Sequence, residues 1–234
     1  MTHHHIVNHE QWLEARTRFL AKEKEFTHLR DELSRQRREL PWERVEKSYV
    51  FDSEHGKETL ADLFGKHNQL IVYHFMYAPD WDIGCKHCSF WADNFNGIIP
   101  HLNQRDVSMV AISRAPLAKL KEQAREFGWT FKWVSSADGD FNYDYNVSFS
   151  PEALAQGGAP YNYGTQQATR SDLPGISAFI RVGDQIFHTY STYGRGVDML
   201  NTAYHYLDLA PKGRDEQDLP FPMAWVKHRI AYES

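Results

Sequence analysis

The chain is poor in cysteine: 234 residues hold only two, Cys85 and Cys88. With no further thiols there is no disulfide framework of the kind that braces small secreted domains. A second cysteine pair, the usual complement of a structural zinc site, is also missing. No stretch approaches the roughly 20 apolar residues that a membrane-spanning helix needs. No apolar segment follows a basic start, so nothing reads as a secretory signal. The expectation is a cytoplasmic chain, in which a disulfide is transient or catalytic rather than a staple. Neither sign of charge dominates, since 26 Lys and Arg against 31 Asp and Glu leave −5. That balance gives no broad attraction to nucleic acid or to an anionic membrane. Internal repeats are absent, and His3, His4 and His5 receive no function.

What is present is a globular composition, 41% hydrophobic and 14% aromatic, with length enough for a sizeable core. Residues 8–38 predict one long helix. Asn8 is placed to cap it, with Gln11 three positions on. Trp12, Leu13, Phe19, Leu20, Phe26, Leu29 and Leu33 recur near helical spacing among Glu, Lys and Arg, and Pro41 ends the run. Residues 1–44 are therefore an arm, either packed along its own domain or pairing two copies as a homodimer.

Residues 45–210 carry the body of the fold. Strand 49–51, turn 52–56, helical turn 59–64, strand 70–75, helix 89–102 and strand 107–112 follow in order. A helix over 116–127, closed by Gly128, leads to a short strand at 131–134. From 135 to about 172, Gly, Asn, Asp, Ser, Gln and Tyr break the pattern. This is an insertion with at most a short helix at 151–156. Strands 176–182 and 185–190 flank Gly183-Asp184 as a hairpin. A helix over 197–207 closes the domain, and residues 211–234 form a tail over the surface. Alternating strands and helices predict an α/β fold, a central mixed sheet flanked by helices.

The cysteines stand in Gly84-Cys85-Lys86-His87-Cys88-Ser89-Phe90-Trp91. A C-x-x-C between a strand and a helix is the sequence form of a thioredoxin-like redox site. At a helix entry the first thiol meets unpaired amide N–H groups and the positive end of the dipole, which favour the thiolate. Lys86 and His87 add one fixed and one titrating positive charge. Cys85 is expected to be the activated sulfur and Cys88, one turn in, the buried resolving one. A reduced form stabilised in this way makes the disulfide more oxidising. The chemistry needs no cofactor; the substrate would be a small or protein thiol or disulfide.

Two alternatives stay open, a metal site and an idle motif on a binding scaffold. A metal would have to recruit His74, His87, His101 or His188, at spacings that do not demand it. Phe90 and Trp91 read as core residues, and Trp81, beside Pro79, is a candidate for the substrate surface. His74 reads as a satisfied core histidine and Asp82 as a solvated loop acid. Asp138, Asp140 and Asp144 lack the spacing and closing glutamate of a calcium loop. Tyr143, Tyr145, Tyr161, Tyr163, Tyr190 and Tyr193, with His188 and Arg195, either pack the insertion onto the sheet or line a pocket beneath it.

Runs along nearly the whole chain carry a family resemblance. They include Trp12-Leu13-Glu14-Ala15-Arg16, Leu40-Pro41-Trp42, Tyr73-His74-Phe75-Met76, Cys88-Ser89-Phe90-Trp91-Ala92-Asp93 and Ser113-Arg114-Ala115-Pro116. Asp140-Phe141-Asn142-Tyr143-Asp144, His188-Thr189-Tyr190-Ser191-Thr192-Tyr193 and Pro211-Lys212-Gly213-Arg214-Asp215 continue it. On these the chain resembles an uncharacterised bacterial family, domain of unknown function eight-nine-nine, described as predicted dithiol-disulfide oxidoreductases with a thioredoxin-like fold. The resemblance implies that fold and thiol–disulfide exchange, and no established substrate. Lys86-His87 resembles the oxidase-type dipeptide of thioredoxin relatives. Gly175-Ile176-Ser177 resembles their Gly-Ile-Pro loop facing the disulfide, which makes Ile176 and Ser177 candidates for the substrate loop. Ser177 stands where a cis-proline is usual, so a trans peptide is expected there. Pro79 and Cys85 do not have peroxidase spacing.

Overall fold

The computed structural model describes residues 5–232. His3 and His4, and the last two residues of the predicted tail, lie outside them. The chain divides into two compact units at Pro41 and Trp42.

The first unit is built on α1, His9–Arg38. Its capping box is the predicted one: Gln11 N–H donates to Asn8 Oδ1 at 2.9 Å, and the Gln11 amide oxygen receives the Asn8 N–H at 3.3 Å. Arg35, Arg37 and Arg38 in the last turn complement the helix dipole. No α1 residue is buried.

The second unit centres on an eight-stranded sheet. In chain order its elements are β1 (Glu43–Arg44), β2 (Val50–Ser53), β3 (Gly56–Thr59), α2 (Leu60–Leu63), β4 (Gln69–His74), α3 (Lys86–Ala92), α4 (Phe95–Asn103), β5 (Val107–Ser113), α5 (Leu117–Phe127) and β6 (Trp133–Ser135). Then come α6 (Phe141–Asp144), α7 (Pro151–Ala155), β7 (Ala159–Tyr161), β8 (Gln166–Ala168), β9 (Gly175–Val182), β10 (Gln185–Tyr193) and α8 (Thr202–Leu209). The strand order is β1-β10-β9-β4-β5-β6-β2-β3. β4, β5 and β6 run parallel, and β9 lies antiparallel to β4. A parallel βαβ unit extended by a hairpin is the thioredoxin-like arrangement expected from the sequence.

Period-two alternation sorts the core onto the two faces of the sheet. Tyr73, Met109 and Ala111 join Trp91, Phe95, Leu120 and Phe127 of α3, α4 and α5 on one face. Leu70, Val72, Val110 and Ile112 meet Leu60 and Leu63 of α2 and Phe141 of α6 on the other.

Five sequence expectations change. Glu43 and Arg44, left in the arm, pair with Phe187 and His188 of β10 and so belong to the sheet. The 52–56 turn is tighter, because 50–53 and 56–59 form a hairpin. The helix of 89–102 begins earlier, at Lys86, and breaks at Asp93 and Asn94 into α3 and α4. The closing helix is likewise two pieces, a 3-10 turn over Gly194–Leu200 and α8, whose first turn Asn201 caps by accepting the Tyr204 N–H at 3.0 Å. Finally, the insertion is more structured than predicted, holding α6, α7 and the two-stranded β7–β8 sheet. Its polar, glycine-rich sequence hides strands that pack a small core of Val147, Phe149, Tyr161, Ala168 and Tyr193.

Candidate active site

β4 delivers the chain to the cysteines, and close backbone packing fixes the loop between. Cys85 N–H donates to Met76 O at 3.0 Å, and Gly84 N–H to Gln123 Oε1 at 2.8 Å. A Cβ on Gly84 would fall 2.7 Å from the Phe75 ring and 2.8 Å from Gln123 Oε1, so only glycine fits. Cys85 caps α3, and its carbonyl receives both the N–H and the hydroxyl of Ser89, at 3.0 and 3.1 Å.

The two thiols are free and unequal: Cys85 is half-buried and Cys88 is 2% exposed. A hydrogen bond from the Cys88 thiol, helped by His87 and the Cys88 backbone N–H, holds the Cys85 thiol well below its ordinary range, against the opposing effect of burial. Cys88 moves the other way. Burial, and the negative charge that would stand beside it on Cys85, push it well up, although Tyr73 O–H and the Met76 N–H (3.4 Å) both donate to its sulfur. α3 has seven residues, so these individual donors, more than a long dipole, favour the Cys85 thiolate. Lys86 is not among the leading contributors.

Of the other predicted residues, Trp81 is half-buried against the same core. Its carbonyl receives Lys119 Nζ at 2.6 Å. Ile176 pairs with Tyr73 in the β9–β4 ladder and is buried on the cysteine face. Ser177 is the correction: it faces the opposite side of the sheet, where its hydroxyl meets His74 Nε2 at 2.8 Å. No peptide bond is cis among the described residues, so the 176–177 bond is trans as expected. A proline does line a cleft with Cys88: it is Pro174, just before β9. Tyr73 and Pro174 are the site residues that sequence reasoning missed. The signal for Pro174 was its position two residues before the predicted strand 176–182.

This cleft has a volume of about 310 Å³. The insertion supplies Gln166 and Arg170, its junction with β9 supplies Leu173 and Pro174, and the 3-10 turn supplies Arg195, Val197 and Asp198. His87 and Cys88 stand in the wall, and the tail contributes Met223. The tail is therefore more than a surface run. His87 Nε2 lies 3.2 Å from Met223 O, and His228 Nε2 lies 2.9 Å from Gly84 O. Val226 is fully buried, and Arg229 pairs with Asp93 at 3.0 Å.

The insertion tyrosines mostly pack. Tyr161 O–H donates to Pro174 O at 2.6 Å, Tyr163 O–H to Ser191 O at 3.0 Å and Tyr193 O–H to Tyr145 O at 3.0 Å. Asp138 pairs with Lys57, while Asp140 and Asp144 pair with Lys47. Asp82 is an exposed loop acid. Among the described residues no three His, Cys, Asp or Glu side chains gather as metal ligands, and no helix is long and apolar enough to cross a membrane.

A thioredoxin-like sheet bearing an asymmetric C-x-x-C dithiol at a strand-to-helix junction defines the class. The chain belongs to the family described as "Bacterial protein of unknown function (DUF899)", whose pattern matches residues 1–232. No curated protein matches it. Similar solved structures include peroxidoxin BcpB from Mycobacterium tuberculosis, 13% identical, covering 69% of this chain and 93% of that one at a TM-score of 0.45. Peroxiredoxin Q of Xanthomonas campestris is 15% identical over 70% of this chain and 95% of its own, with a TM-score of 0.46. AhpC of Enterococcus faecalis is 10% identical over 73% and 95%, with a TM-score of 0.47.

Proposed function

We propose that the protein is a thiol–disulfide oxidoreductase acting through Cys85 and Cys88. The Cys85 thiolate attacks one sulfur of a substrate disulfide, whose S–S bond breaks and whose other sulfur leaves as a thiolate with the electron pair. A mixed disulfide remains on Cys85. Cys88 then gives its proton to the departing thiolate and attacks Cys85 Sγ, releasing the second substrate sulfur as a thiolate with the bonding electron pair. The substrate is reduced by two electrons and the protein dithiol is oxidised to one internal disulfide. In the reverse direction the protein disulfide oxidises a dithiol.

The observation that carries this reading is the opposed displacement of the two thiol pKa values, Cys85 down and Cys88 up. The Cys85 sulfur is thus the readier nucleophile and Cys88 is held back until the mixed disulfide forms. A redox titration followed by thiol counting tests it. A single two-electron transition that disappears in Cys85→Ser is expected. Failure of the wild-type protein to form an internal disulfide at any potential in the range of known dithiol enzymes would sink the reading.

A further inference from the structure

The cleft lined by Cys88 has a chemical bias of its own. Its inner wall is apolar, from Leu173, Pro174, Val197 and Met223, and it closes on Cys88 and on His87, which hydrogen-bonds the Cys85 sulfur. Its rim is charged. Arg195 lies 3.1 Å from Asp198, which Arg214 also approaches at 3.4 Å, so this part of the rim is internally compensated. Arg170 is exposed, and among the described residues no hydrogen bond or ion pair engages its guanidinium. The neighbouring acid, Asp172, is already taken by Arg114 at 2.6 Å and by Ser148 at 2.7 Å. The insertion roofs one side and the tail bounds the other, leaving a volume of about 310 Å³, room for a small organic molecule and not for a folded protein segment.

Resting on the thiol–disulfide reading above, we propose that the exchanging substrate is a small disulfide or thiol with an apolar body and an anionic group, its carboxylate or sulfonate held by Arg170. The apolar body lies on Leu173, Pro174, Val197 and Met223. The free guanidinium meets the anion at the rim, where Gln166 can donate a further hydrogen bond. Arginine suits this task because its fork matches two oxygens of a carboxylate.

Stopped-flow oxidation of the fully reduced protein by two aryl disulfides tests this. One is 5,5′-dithiobis(2-nitrobenzoate), with a carboxylate on each ring; the other is the neutral 4,4′-dithiodipyridine. In each case the aryl disulfide takes the two electrons and leaves as two aryl thiols. Arg170→Gln is expected to slow the carboxylated reagent about tenfold, the loss of one charge-assisted contact, and to leave the neutral one unchanged. Added salt should slow the carboxylated reaction selectively in the wild type and much less in the variant. Equal effects on both reagents, or none on either, overturn the anion assignment while leaving thiol–disulfide exchange intact. If Cys85→Ser consumes both reagents as fast as the wild type, the underlying exchange reading fails instead.

Discussion

At the scale of single residues the site rests on the inequality of Cys85 and Cys88. Their hydrogen bond serves both sulfurs, lowering one pKa and raising the other. The order of contributions yields a ranked prediction. Cys88→Ala removes the largest support and should raise the Cys85 pKa most, His87→Ala should raise it less, and Lys86→Ala should leave it nearest the wild-type value. The pH profile of iodoacetamide alkylation checks the ranking, and a Lys86→Ala effect larger than that of His87→Ala would contradict it. Spacing made the pair and His87 legible in the sequence. Tyr73 was hidden because nothing in a buried strand shows which side chain will reach a sulfur twelve or more residues on. Ser177 was misplaced for a related reason. Alternation along β9 sends consecutive side chains to opposite faces, so Ile176 falls on the cysteine face and Ser177, the next residue, on the other.

At the scale of elements, the pieces around the site are tied down by buried polar contacts that link distant parts of the chain. Arg114 at the end of β5 holds Asp172 at the end of the insertion with two hydrogen bonds, Nε to Oδ1 at 3.0 Å and Nη2 to Oδ2 at 2.6 Å. The side chains are 13% and 3% exposed. Asp172→Ala would leave a largely buried guanidinium uncompensated and should cost about 3–5 kcal/mol, as broken buried pairs do; urea unfolding measures it. The tail has its own anchor. Glu216 Oε1 receives Tyr204 O–H at 2.9 Å, Met223 N–H at 3.0 Å and Trp225 Nε1–H at 2.7 Å. Glu216→Ala should therefore speed amide hydrogen exchange across residues 221–228 while leaving β4 and β5 protected. Exchange confined to the substituted position would show that the tail holds without this carboxylate. Such ties explain why strands and major helices were legible and the covers were not. Hydrophobic periodicity marks β4, β5 and α5, whereas the insertion and tail dock through single charges and carbonyls that leave no periodic trace.

At the scale of the whole sheet, its two faces do different things. One holds the cysteines. The other holds a polar chain crossing three strands, from His74 Nε2 to Ser177 Oγ (2.8 Å), to Ser191 Oγ (2.8 Å) and to His188 Nε2 (2.7 Å). His188 Nδ1 then lies 3.4 Å from Glu43 of β1. Ser191 and Ser177 are buried within the sheet, so a Ser–His–carboxylate sequence here is a structural link rather than a nucleophile. The inner end is under-satisfied: His74 is 1% exposed, and its Nδ1 has no hydrogen-bond partner among the described residues. Burial, with His188 adding to it, pushes the His74 pKa down to about 3. The sign of the consequence follows. Between that value and the unfolded histidine value near 6.5, the unfolded chain binds a proton that the folded protein refuses, so stability falls as pH falls through this window. From pH 8 to 5 the loss from this one group is about 2 kcal/mol. His74→Gln keeps a polar group for Ser177 and removes the proton uptake. Urea midpoints of wild type and variant should therefore diverge across pH 5–6.5, the variant's slope being shallower by about one proton. The exposed histidines and the carboxylates are common to both proteins and cancel in the difference. Parallel curves would mean that His74 already accepts a proton in the fold, and that the chain from Glu43 serves to charge it rather than to keep it neutral.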